Sequence, residues 1–233
     1  MNLVLYSADG FRINTKIDKV VRNLLSKNSS ISCLSSFLDK KRRYFNQFLS
    51  RFKKNGYKNF KFFELPRNFK GPKINEIFKS KAIYLAGGDP HLFLAFIHKR
   101  GLKRKLVSFV KRGGVLLGAS AGAMLMTPTV DTTIFLNNDP KSYRKLKPTK
   151  ALSLVDFEFF PHYQRKEELP QLKKIDYALK KRSLLVGRPI IACREGEGLI
   201  IWGETKIIIG DPVVFKNGAK TKLKTQILIK PLF

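Results

Sequence analysis

The sequence predicts an α/β protein: a three-layer, doubly wound, mainly parallel sheet with a C-terminal antiparallel extension. Three observations carry that expectation. Short apolar runs alternate with helix-patterned segments through the first half, which is how parallel sheets built from βαβ units read. One of those runs, Val115-Leu116-Leu117, leads into Gly118-Ala119-Ser120-Ala121-Gly122 and then residues suited to a helix. The tail after residue 190 is all short strands punctuated by turn residues.

Residues 2–6 read as the first strand and 15–27 as a helix with Ile17, Val20, Val21, Leu24 and Leu25 on one face. A second strand, 31–34, precedes a long helix from about 37 to 55, closed by Asn55-Gly56. Strands follow at 60–65 and 82–85, with helices at 73–79, 91–99 and 102–112. Residues 131–150 hold Asn137-Asn138-Asp139-Pro140 and Pro148 and read as a loop over the sheet. Ser153 to Phe160 reads as a further strand and 169–181 as a helix. Gly203-Glu204-Thr205 and Lys216-Asn217-Gly218 punctuate hairpins. No internal repeat or domain boundary is evident, so residues 1–233 read as a single domain.

Composition narrows the class. Hydrophobic content of 43% and aromatic content of 12% exclude a mainly disordered chain. No apolar run approaches the ~20 residues that span a bilayer. Met1–Tyr6 carries no charged leader. Cys33 and Cys193 lie far apart in apolar segments, giving neither metal-ligand spacing nor a disulfide framework. Buried thiols in a cytoplasmic protein are the expectation. The formal charge of +29, from 46 Lys and Arg against 17 Asp and Glu, invites nucleic-acid binding. Yet Lys40-Lys41-Arg42-Arg43, Lys103-Arg104-Lys105 and Lys180-Lys181-Arg182 fall on different predicted helices, and no nucleic-acid-binding motif accompanies them. Nonspecific binding is then the expected extent of it, and an acidic substrate also suits the charge.

The candidate chemistry begins at Ser120. Gly-x-Ser-x-Gly between strand and helix is the logic of a nucleophile elbow, a turn too sharp for bulk two residues either side of the serine. The Ala121 amide would then face a developing oxyanion. Among three histidines, His91 and His98 share one helix, whereas His162 follows a strand in Phe159-Phe160-Pro161-His162-Tyr163. A histidine at a strand's carboxyl end in an open α/β sheet points into the ligand crevice. His162 comes too soon after Ser120 for the usual α/β-hydrolase order, so the same chemistry on another scaffold is expected. Ala86-Gly87-Gly88-Asp89 ends a strand with a glycine pair that lets backbone amides approach a substrate oxygen.

Taken together, Ala86-Gly87-Gly88-Asp89, the Ser120 elbow, Leu154-Val155-Asp156-Phe157 with Phe160-Pro161-His162-Tyr163, and the closing segment from Glu195-Gly196 to Asn217-Gly218 resemble the dipeptidase E and cyanophycinase family of serine peptidases. The resemblance runs from about residue 31 to 218 and implies a fold similar to class I glutamine amidotransferases. It implies Ser120 as nucleophile, His162 as general base, and an oxyanion hole from the Gly88 and Ala121 amides. It also implies an exopeptidase acting on short peptides with an N-terminal aspartate, or on aspartyl bonds of a storage polymer, without metal or cofactor. The triad acid is open. Phe135 occupies one position where the family has an acid; Asp139 is the first choice, Asp131 the second and Glu195 the third. Asp89 and Arg165, with Lys166 beside it, are candidates for contacting substrate. The rivals are a non-catalytic member of the same fold and a nucleic-acid-associated protein.

Overall fold

The computed structural model describes residues 1–10, 12–67, 72–132 and 149–228. At its centre, β1 (Asn2–Tyr6) lies between two different neighbours. On one side it pairs in parallel with β5 (Val115–Ala119), Leu3 opposite Leu116 and Tyr6 opposite Ala119. Beyond β5 come β4 (Ala82–Leu85), β2 (Ser30–Ser35) and β3 (Asn59–Glu64), all parallel. On the other side β1 pairs antiparallel with β8 (Gly198–Trp202), followed by β9 (Thr205–Ile209) and β12 (Gln226–Leu228). The eight-stranded order is β12-β9-β8-β1-β5-β4-β2-β3.

Both faces of this sheet are covered, which is why its parallel strands read as unbroken apolar runs. Successive side chains of β1 alternate between faces. Leu3 and Leu5 join one core with α4 (Pro90–Lys99) and α5 (Leu102–Lys111), through Phe93, Ile97, Leu106 and Val110. Val4 and Tyr6 join the other with α1 (Thr15–Leu24) and α2 (Arg43–Lys54), through Ile17, Val21, Phe48 and Phe52. The short α3 (Pro72–Ile77) contributes Ile77 to the first core.

The C-terminal half departs from the sequence expectation. Of the strand expected over 153–160, only β6 (Glu158–Phe160) forms, and it does not join the main sheet. The amides of Ala151, Leu152, Ser153 and Leu154 instead bond the carbonyls of Pro128, Leu125, Thr127 and Met126. That apolar run is satisfied against the turn after α6 (Ala121–Met124), so it needs no strand ladder. β6 pairs in parallel with β7 (Ile190–Ala192), and β10 (Val213–Lys216) and β11 (Ala219–Lys222) complete a second, four-stranded sheet. The antiparallel extension of the main sheet is therefore β8, β9 and β12 alone.

Three strands of the second sheet, β6, β7 and β10, are covered on both faces, whereas β11 is exposed. Phe160, Ile190, Ala192 and Phe215 pack on Ile175 and Leu179 of α7 (Leu172–Val186). Phe159, Ile191 and Val214 join the same cluster as Leu3 and Leu116. A buried Arg182–Glu158 pair (2.7 Å and 2.9 Å) links α7 to β6, with the Thr129 hydroxyl donating to the same carboxylate at 2.8 Å. The expected helix over 37–55 starts six residues later, at Arg43, because Arg42 sits in the left-handed region (φ 52°). Among the described residues no helix is long and apolar enough to cross a membrane.

Candidate active site

The carboxyl end of β5 carries the elbow. Ser120 has φ 51° and ψ −113°, a conformation costly for a residue with a Cβ. Its amide is tied to the Tyr6 carbonyl (2.9 Å), and its carbonyl accepts from Ala123 (3.0 Å) and Met124 (3.1 Å). The close packing shows why both flanking glycines are needed. A Cβ on Gly118 would fall 2.5 Å from the Gly122 backbone, and one on Gly122 would fall 2.1 Å from the Leu85 carbonyl oxygen. Gly122→Ala is expected to force β4 away from the elbow and lower stability by about 1–3 kcal/mol, measured by urea unfolding.

His162 reaches Ser120 from the second sheet, not from a neighbouring strand of the first. Just past β6, with φ 58°, it turns its ring so that Nε2 lies 2.8 Å from Ser120 Oγ. Four hydrogen bonds hold it there, two of them through the Ser7 hydroxyl. The His162 amide donates to Ser7 Oγ (2.8 Å), whose hydroxyl donates to the Cys193 carbonyl (2.7 Å). The Cys193 amide donates to Phe160 (2.9 Å), and the Tyr163 amide to Cys193 (2.9 Å), so β6–β7 pairing continues past both strand ends. Ser7 is fully buried and was not singled out in the sequence. Its signal is topological: it follows the strand paired directly with the elbow strand, at the same carboxyl edge.

Two residues beyond Cys193, Glu195 places Oε1 3.1 Å from His162 Nδ1. The third choice among the candidate acids is thus the one beside the imidazole. Asp131 is buried and accepts the Thr149 amide at 2.9 Å. Asp139 and Phe135 lie outside the described residues. Of the substrate candidates, Asp89 caps α4, accepting the Leu92 amide at 2.8 Å. Arg165 is half exposed, with Nε 3.5 Å from both Glu195 and Glu167. His91 and His98 lie on α4.

Gly88 stands across the crevice with φ 129°. Among the described residues neither its amide nor that of Ala121 donates to another backbone carbonyl. Ala121 opens a helix of only four residues, so its single amide matters more than any macrodipole. Ser120, His162, Gly87 and Gly88 border a cavity of about 320 Å³ that extends over the ends of β4 and β2 toward α2. Its walls include Phe37, Tyr44, Phe48, Phe62 and Tyr84, and among the described residues its one acidic lining residue is Asp9. Burial pushes the thiols of Cys33, which lines the cavity, and of Cys193 well up, so both stay protonated and poorly nucleophilic at neutral pH.

A three-layer α/β fold with a class I glutamine amidotransferase-like sheet, bearing a serine elbow met by a histidine from a second sheet, defines the class. The chain belongs to peptidase family S51, whose family model matches residues 3–209. It is 27% identical over 157 residues to peptidase E of Streptomyces coelicolor, covering 64% of this chain and 60% of that one. It is 31% identical over 153 residues to peptidase E of Salmonella arizonae, covering 62% and 63%. The matched stretches thus span about three fifths of these relatives. The crystal structure of a peptidase from an acI-B1 actinobacterium superposes with a TM-score of 0.72 at 17% identity, covering 97% of this chain and 96% of that one. That likeness is one of fold.

Proposed function

We propose that the protein is a serine-type exopeptidase that cleaves short peptides through an acyl-enzyme on Ser120. The observation that carries this reading is the relay of contacts, 2.8 Å from Ser120 Oγ to His162 Nε2 and 3.1 Å from His162 Nδ1 to Glu195. Ser120 Oγ attacks the amide carbon while His162 Nε2 takes the hydroxyl proton. The tetrahedral oxyanion accepts hydrogen bonds from the amides of Gly88 and Ala121. His162 then gives the proton to the departing amine. Water, deprotonated at the same nitrogen, hydrolyses the ester and restores Ser120. Every proton in the cycle has a carrier in the chain, so no cofactor is called on.

In this reading Glu195 accepts the Nδ1 proton's hydrogen bond, fixes the tautomer and stabilises the imidazolium. Asp139, the first choice on sequence, then has no catalytic part. An aspartate preference rests on the resemblance, and its candidate cation, Arg165, already faces two carboxylates. Parallel kinetics separate the acids. Glu195→Gln is expected to lower kcat by about 10²–10⁴, with Asp139→Asn and Asp131→Asn within about threefold of the parent. Full activity in Glu195→Gln, or the large loss in Asp139→Asn, would overturn this assignment.

A further inference from the structure

We infer that Ser7 is a positioning residue for the reaction, its hydroxyl holding the His162 turn and the strand end that leads to Glu195 in register with Ser120. This rests on the serine-peptidase reading of the site and adds a residue to it. The relay is divided between two sheets: Ser120 follows β5 of the first, while His162 and Glu195 follow β6 and β7 of the second. Catalytic groups must be held within about 0.5 Å of their working geometry, so the two sheets need a fixed join at this edge. The end of β1 supplies it. Leu3 and Leu5 point into the core shared with Phe159 and Ile191 of the second sheet, and the two-residue period carries Ser7 the same way.

A hydroxyl is needed here because both an acceptor and a donor are used. The Ser7 oxygen accepts the His162 amide at 2.8 Å, and its proton goes to the Cys193 carbonyl at 2.7 Å. The Ser7 amide donates to the Glu197 carbonyl (3.2 Å), so the turn bearing Glu195 is tied to Ser7 on both sides. One residue earlier, the Tyr6 carbonyl accepts the Ser120 amide (2.9 Å). Residues 6 and 7 thus reach the segments that carry nucleophile, base and acid. The bond to His162 matters most. His162 sits at φ 58°, in the left-handed region, which is unfavourable for a residue with a Cβ. Among the described residues its amide has no other acceptor, whereas the Cys193 carbonyl keeps the Tyr163 amide. Without the hydroxyl the His162 backbone is free to leave that conformation. Nε2 then moves off Ser120 Oγ, and Nδ1 off Glu195.

The test is the rate of labelling by a fluorophosphonate, separated into its saturating rate and its half-saturating concentration. Ser7→Ala is expected to lower the saturating rate about 10–100-fold and to leave the half-saturating concentration within about threefold of the parent. In a His162→Ala background the same change is expected to cost less than about threefold, because Ser7 acts through His162. The Nδ1 proton between His162 and Glu195, identified as the downfield proton resonance lost in Glu195→Gln, is expected to shift or vanish in Ser7→Ala. Ser32→Ala, which removes another fully buried hydroxyl (2.8 Å from that of Ser80), is the control, with rate and resonance expected unchanged. Ser7→Cys, which fills the space with a weak donor and acceptor, is expected to behave like Ser7→Ala and replaces it as the test if Ser7→Ala does not fold. A folded Ser7 variant labelled within about threefold of the parent rate, or an equal loss in the His162→Ala background, overturns the inference. So does failure of both Ser7 variants to fold. Absence of label on the parent's Ser120 overturns the peptidase reading instead, and the resonance then tests the positioning by Ser7 on its own.

Discussion

Ser120→Ala is expected to lower kcat on a peptide substrate by about 10⁴–10⁶ while leaving the fold and substrate binding nearly intact. The magnitude follows from what the hydroxyl does: without it no acyl-enzyme forms, and only the oxyanion donors and positioning remain to speed attack by water. The structural cost is small because the elbow is held by backbone. The Ser120 amide and carbonyl bonds to Tyr6, Ala123 and Met124 do not involve the side chain, and alanine keeps the Cβ the turn already accommodates. An unchanged melting temperature with turnover lost is the expected pair of results. Residual activity above about a tenth of the parent would mean that another group carries the reaction.

The second large effect is expected at Arg51, the most voluminous fully buried side chain on the face of the sheet that supports the cavity. Its guanidinium donates to Asp18 through Nε (3.1 Å) and Nη2 (2.8 Å) and to Asp9 through Nη1 (2.9 Å), and it stacks over the Tyr6 ring at 4.2 Å. Arg51→Ala leaves Asp18, only 4% exposed, charged and without its cation, keeping just the Tyr6 hydroxyl (3.1 Å) and Asn55 amide (3.0 Å) as donors. Breaking one side of a buried pair costs about 3–5 kcal/mol. Urea unfolding measures this, and Arg51→Met separates charge from volume. If charge dominates, Arg51→Met is nearly as unstable as Arg51→Ala, and adding Asp18→Asn restores much of the loss. A loss below about 1 kcal/mol in both single variants would contradict this account.

Arg51 also shows why part of the molecule was not legible in the sequence. In a chain with 46 basic residues, an arginine on a predicted helix reads as one more solvated charge. Only the fold brings Asp9, just past β1, and Asp18, on the neighbouring helix α1, to it. The strands of the parallel half were legible for the opposite reason: both faces are covered, so their apolar runs are local signals. The elbow was legible because its steric demand falls on residues two positions from Ser120. The segment 153–160 misled because an apolar run packed on a turn looks the same as a buried strand. Phe37 and Leu38 fit the helical period of α2 yet lie before it, in the turn that walls the cavity. Glu195 ranked last because nothing local marks it. It meets His162 only through the pairing of β6 with β7, strands separated by thirty residues and a helix.

The central claim is that Ser120 is a nucleophile activated by His162. Labelling with a fluorophosphonate, followed by peptide mapping of the adduct, tests it most directly. A single phosphonate on Ser120 is expected, absent in Ser120→Ala and formed at least about 10²-fold more slowly in His162→Ala. An adduct on a different residue, or none on a folded protein, would contradict it.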